Sequence, residues 1–141
     1  MPQMIFVNLP VADFGRSIAF YKGVGATQNM QFSDETAACM VLSETIHVML
    51  LTYEKYRQFT SREIPDARKV AQVLLCLTRD SREAVDQVVA DASAAGGVAE
   101  PTPTQDYGFM YGRSFEDPDG HIWENVWMDP TAIQGGSEAA A

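Results

Sequence analysis

Residues 113–128, RSFEDPDGHIWENVWM, decide how the rest of the chain is read. The flanks, 109–115 and 121–128, are rich in aromatic and branched side chains, and Asp117, Pro118, Asp119 and Gly120 between them carry turn chemistry. Two such runs across a short turn predict a β-hairpin. With Pro118 and Asp119 central in the turn, Glu116 pairs with His121, Phe115 with Ile122, Ser114 with Trp123 and Arg113 with Glu124. Opposed residues share a face of a sheet, so this register sets Arg113 beside Glu124, with Tyr111 and Val126 on the same face and Trp123 and Trp127 on the other. A slip of one residue would exchange the faces.

Upstream of the hairpin lie a Pro-rich loop, 100–105, and a helix expected over 81–95. Asp80 is the expected N-cap, with Glu83 completing a capping box, and Val85, Val88, Val89 and Ala92 mark the buried stripe. Gly96 and Gly97 stop the helix, and 73–78 before it reads as a strand. The chain begins in the same order. A strand over 4–11 precedes the N-cap Asp13 and a helix to about Lys22, on which Phe14, Ile18 and Tyr21 share a face. Gly23 and Gly25 end it, and 30–32, 37–42 and 46–53 read as strands. The capping residues Asp13 and Asp80 stand 67 positions apart, as two copies of one module would. The reading is α+β: one domain over 1–130, built of βαβββ modules at about 1–58 and 70–130. A charged connector spans 54–69, and a tail over 131–141 is expected to be disordered.

A chain of 141 residues, 46% hydrophobic and 21% charged, holds a real core without disulfides. Cys39 and Cys76 lie in strand-like runs and are expected to be buried free thiols in a reducing compartment. Residues 1–12 lack the basic region of a signal peptide, and the apolar run near 73–77 is far too short to cross a bilayer. The expected location is cytoplasmic. A net charge of −9 argues against nucleic acid or anionic membrane as a partner. Five of the ten basic residues, Lys55, Arg57, Arg62, Arg68 and Lys69, fall in the connector. It is either solvated or, through Tyr53, Tyr56 and Phe59, a mobile flap over a pocket.

Paired βαβββ modules ending in DPDG and a hydrophobic strand that carries Glu resemble the vicinal oxygen chelate superfamily. That group includes glyoxalase I, bleomycin-resistance proteins, extradiol dioxygenases and fosfomycin-resistance enzymes. The segments LPVADFGRSIAFYKGVGA, LLCLTRDSREAVDQVV and SFEDPDGHIWENVW carry the resemblance. It implies a curved sheet around a cavity, helices outside, and a homodimer. It also implies metal-ligand positions at Phe6 and Val73, each seven residues before its capping Asp, at Leu50 within HVMLLTY, and at Glu124. Only Glu124 can ligate, so no cofactor is expected. The alternative is a divalent ion held by Glu124 and completed by water, substrate or a partner subunit. His47 and His121, three residues from Leu50 and Glu124, fall on the opposite faces and are expected to be structural or surface residues.

On this reading Arg113 and Glu124 either satisfy each other or form the polar end of an apolar ligand pocket walled by Phe6, Asn8, Leu50, Val73, Phe109 and Tyr111. Three functions follow. One is metal-free capture of a small hydrophobic or aromatic molecule, as in bleomycin-resistance proteins. Another is an enzyme, a glyoxalase I-like lyase, an isomerase or a dioxygenase, with Glu124 as catalytic base. The third is an inactive dimeric scaffold.

Overall fold

The computed structural model describes residues 1–132. The chain is α+β and falls into two compact units. One is Met1–Val70 with Pro118–Gly120, and the other is Ala71–Asp117 with the described residues from His121 onward.

The first unit contains β1 (Ile5–Val11), α1 (Phe14–Gly23), β2 (Thr27–Asn29), a 3₁₀ turn (Met30–Phe32), β3 (Ala37–Val41), β4 (Ile46–Thr52) and the short α2 (Tyr53–Tyr56). Its sheet runs β1-β4-β3-β2, with β1 parallel to β4 and the other pairs antiparallel. Asp13 caps α1 as expected, its carboxylate accepting from the Arg16 N–H at 3.1 Å. Strand alternation sets Leu9, Val11, Ala38, Met40, Val48 and Leu50 on one face. None is more than 6% exposed, and with Phe20 and Tyr21 of α1 they form the core. The strand expected over 30–32 is instead the 3₁₀ turn. Met30 and Phe32 are exposed, and Asn29 caps the turn by accepting from the Gln31 N–H, so nothing there is buried by extending.

The second unit contains β5 (Leu75–Thr78), α3 (Arg82–Ala94), β6 (Val98–Ala99), β7 (Gln105–Asp106), β8 (Met110–Glu116) and β9 (Ile122–Met128). Its sheet runs β5-β9-β8-β6, with β7 also on β8 and β5 parallel to β9. Val85, Val88, Val89 and Ala92 are the buried stripe of α3, as their spacing predicts. The cap differs. Ser81 rather than Asp80 accepts from the Ala84 N–H, at 3.0 Å, which puts Ala84 where a capping box needs Glu or Gln. Cys39 is buried, but Cys76, on the edge strand β5, is exposed.

The β8–β9 hairpin corrects the expected register by one residue. The Asp117 N–H donates to the His121 carbonyl at 3.0 Å, and the His121 N–H donates to Asp117 Oδ1 at 2.9 Å. The loop is therefore the three residues Pro118, Asp119 and Gly120, with Gly120 at φ +100°, the left-handed position such loops need. Glu116 then pairs with Ile122, Phe115 with Trp123, Ser114 with Glu124 and Arg113 with Asn125. Arg113 and Glu124 stand on opposite faces.

The connector is tied at one end, where Arg68 donates to the Pro118 carbonyl. Pro130, Thr131 and Ala132 are helical, and the rest of the expected disordered tail lies outside the described residues. Among the described residues, no helix is long and apolar enough to cross a membrane.

Candidate functional site

Arg113 lies on the α3 face of the second sheet. Its guanidinium donates to Asp86 of α3 at 2.8 Å and to Glu100 at 2.7 Å, and the Tyr111 hydroxyl donates to the same Asp86 at 2.6 Å. Beside them Arg82 makes a bidentate pair with Asp106, at 2.8 and 3.0 Å, and lies over the rings of Tyr111 and Trp127 at 4.8 and 5.3 Å. The bonds from Tyr111 and Arg113 hold the Asp86 carboxyl below its ordinary range, and those from Arg82 and the Gly108 N–H hold Asp106 down at about 2. Arg113 and Tyr111, expected to line a pocket, are thus members of an ionic cluster that fastens α3 to β8.

Glu124 points the other way. Its cross-strand neighbours are Ser114 on β8 and Cys76 on β5. Partial desolvation against the neighbouring strand, and then the Glu124 carboxylate, push the Cys76 thiol above its ordinary value, although the residue as a whole is exposed. Ser114 is buried and shares a 2.6 Å hydrogen bond with the Thr102 hydroxyl. Ser114, Thr102 and Glu124 border a recess of about 30 Å³, whose lining also includes Gln105, Arg113 and Val126. It has room for a water molecule or two. Small-molecule sites are about ten times larger or more.

In the first unit the register separates two residues expected to be neighbours. Phe6 pairs with His47 and Asn8 with Met49, whereas Leu50 pairs with Leu9 on the face beneath α1. Leu50 has no exposed surface and is core, not a wall. Phe6 and Asn8 are exposed on the opposite face, which they share with His47 and Met49. His47 is only 7% exposed, and its ring stacks on Phe6 with centroids 4.5 Å apart and an interplanar angle of 19°. Among the described residues, its Nδ1 is the buried side-chain nitrogen or oxygen without a hydrogen-bond partner. Val73 lies ahead of β5 and is exposed. Phe109, also exposed, precedes β8 and stacks on Tyr107. The expected set therefore divides: Phe6 and Asn8 lie together, Glu124 stands with Cys76 and Ser114, and Leu50, Val73, Phe109, Tyr111 and Arg113 belong elsewhere.

The sequence does not place His47, Cys76 and Ser114 at the site, because their places depend on which residue each strand opposes. The one available signal was the DPDG loop, whose Gly suits the third position of a three-residue turn better than a two-residue one.

At the positions implied by resemblance the donors do not fit a metal ion. Those positions hold Phe6, Leu50 and Val73, which cannot ligate; the observed faces add His47 and Cys39 in the first unit and Cys76 and Glu116 on the Glu124 face of the second, and among the described residues no three of these converge. Three or four converging ligands are the usual requirement. Asp117, Asp119 and His121 of the hairpin turn do present ligand-type atoms within 4.8 Å of one another. Two of the three already serve the backbone. Asp117 accepts from the His121 N–H, and Asp119 from the Ala12 N–H at 2.8 Å and the Ser17 hydroxyl at 3.3 Å.

A sequence model of the Glyoxalase/Bleomycin resistance protein/Dioxygenase superfamily matches residues 3–125. Among solved structures, the hypothetical protein SA1046 from S. aureus is similar at 27% identity and a TM-score of 0.74, over 90% of this chain and 94% of that one. A glyoxalase/bleomycin resistance protein/dioxygenase family enzyme from Burkholderia phytofirmans PsJN shares the fold at 22% identity and a TM-score of 0.72, over 90% and 99% of the two chains. So does the fosfomycin resistance protein FosX from Mesorhizobium loti, at 13% identity and 0.67, over 95% and 98%. No functionally curated protein matches significantly.

Proposed function

The chain belongs to the Glyoxalase/Bleomycin resistance protein/Dioxygenase superfamily, and from that premise we propose that it captures a small hydrophobic or aromatic molecule without a metal ion. The observation that carries this reading is Phe6, stacked on His47 yet 48% exposed, on the sheet face opposite the α1 core. An aromatic ring held by packing on one side and open on the other is a ready surface for a flat ligand. The names of similar proteins, which refer to resistance to bleomycin and to fosfomycin, support a small molecule as the partner.

On this reading the protein works in the cytoplasm as a homodimer. β1 and β5 each end a sheet, and Ile5, Val73 and Leu74 on or beside them are exposed, surface that a second copy would cover. Catalysis is the second reading. The register favours it by separating Glu124 from Arg113, since a carboxylate without a guanidinium bound to it is the better general base.

The test is elemental analysis of untagged protein after incubation with nickel, zinc, manganese and iron, joined to a thermal-shift screen of small aromatic compounds. The expected result is no stoichiometric metal and a rise in Tm with at least one compound. Near-stoichiometric metal that disappears in Glu124→Ala would overturn the metal-free reading and direct work to lyase and dioxygenase assays.

A further inference from the structure

We infer that His47 is the hydrogen-bonding anchor of a ligand site on the first sheet, and that the ligand it fits is a planar aromatic compound bearing an acceptor oxygen, such as an aromatic carboxylate. This rests on the small-molecule reading above and adds to it the residue and the ligand chemistry.

The argument begins with the two ring nitrogens. Nδ1 is buried and meets no hydrogen-bond partner. A neutral imidazole carries its proton on one nitrogen and a lone pair on the other. An orphaned buried donor is rarer than an orphaned acceptor, so the proton belongs on Nε2 and the lone pair on Nδ1. With Nδ1 closed off, the ring meets a ligand only through Nε2, and there it offers a donor.

The surroundings say what it would donate to. Phe6 stacks on the imidazole and remains half exposed, and Asn8, the next residue on that face of β1, is exposed beside Met49. A flat ring packed against the exposed edge of Phe6, beside the stacked pair rather than beyond it, can bring an edge oxygen to Nε2 in the imidazole plane, with the Asn8 carboxamide one pleat along. The fold itself does not need the imidazole. A phenyl ring at position 47 would stack on Phe6 as well and leave no buried nitrogen unpaired.

Long-range ¹H–¹⁵N NMR of the free protein is the first measurement. Only two histidines are present, so His47→Phe assigns both. A proton on Nε2 of His47 is expected, and a proton on Nδ1 would overturn the anchor whether or not any variant folds. The second measurement is titration with 2-naphthoate. Saturable binding that shifts the amides of Phe6, Asn8 and His47, weakens at least tenfold in His47→Phe and recovers in part in His47→Gln is expected. Binding undiminished in His47→Phe, or shifts confined to other residues, would overturn the anchor and leave small-molecule capture standing. No saturable binding of 2-naphthoate by the wild-type protein would overturn the ligand class, and silence across the whole aromatic panel would overturn the function beneath it.

Discussion

At Arg113 one residue of register turns an expected pocket charge into a fastening for α3. Its side chain is 21% exposed and its partners Asp86 and Glu100 are 52% and 32% exposed, so solvent screens both pairs. Arg113→Ala should therefore cost about 1–2 kcal/mol in urea unfolding, for a small exposed network. The roughly 3–5 kcal/mol of an orphaned buried charge would show that the cluster is closed to water. Asp106 sets a pH window. Its carboxyl titrates at about 2 folded against an ordinary 3.8, so the unfolded chain takes up the proton first. Its stabilisation is complete above about pH 4 and is lost as the pH falls toward 2. Urea midpoints across that range should fall less steeply in Asp106→Asn than in wild type, and an identical slope would count against the Arg82 pair. Cys76 gives a third check, since Glu124 helps to raise its pKa. Thiol labelling of the native protein should modify Cys76 and spare the buried Cys39, and Glu124→Gln should quicken it. An unchanged rate would mean that the two side chains are farther apart than cross-strand neighbours.

Among the elements, the β8–β9 loop leaves no room for a side chain at Gly120. Gly120 combines φ +100° with a close approach, because a Cβ there would meet Arg68 Cγ at 2.7 Å, Arg68 N at 2.8 Å and Ala67 C at 3.0 Å. Two of those atoms are backbone and cannot swing aside. Gly108 has φ +80° and open space around its would-be Cβ. Backbone strain alone costs of order 1–3 kcal/mol, so Gly108→Ala should fall within that range and Gly120→Ala should exceed it or fail to fold. Thermal unfolding of the pair separates strain from collision, and equal losses would show that the connector yields. The same contacts recast the connector, which the sequence left as either solvated or a flap. Its end at Arg68 is bound to the loop, whereas Phe59 is exposed.

At the scale of the whole molecule, the proposed dimer predicts a two-chain mass by sedimentation equilibrium and a shift toward monomer in Ile5→Lys, which places a charge on an edge strand. A wild-type monomer at all concentrations would remove the dimer. The sequence by itself determined what is local. The α3 stripe, the Asp13 cap, the hairpin and the two repeated modules follow from periods of 3.6 and 2 and from turn residues a few positions apart, whereas α1 buries Ser17, Phe20 and Tyr21 in place of the expected Phe14, Ile18 and Tyr21. The tertiary structure alone decided which residues stand opposite one another. The parallel pairs β1 with β4 and β5 with β9 join segments about forty residues or more apart, and no local pattern sets their register. Because side chains alternate along a strand, an error of one residue exchanges every face. It moved Leu50 into the core, raised His47 to Phe6's side and parted Arg113 from Glu124.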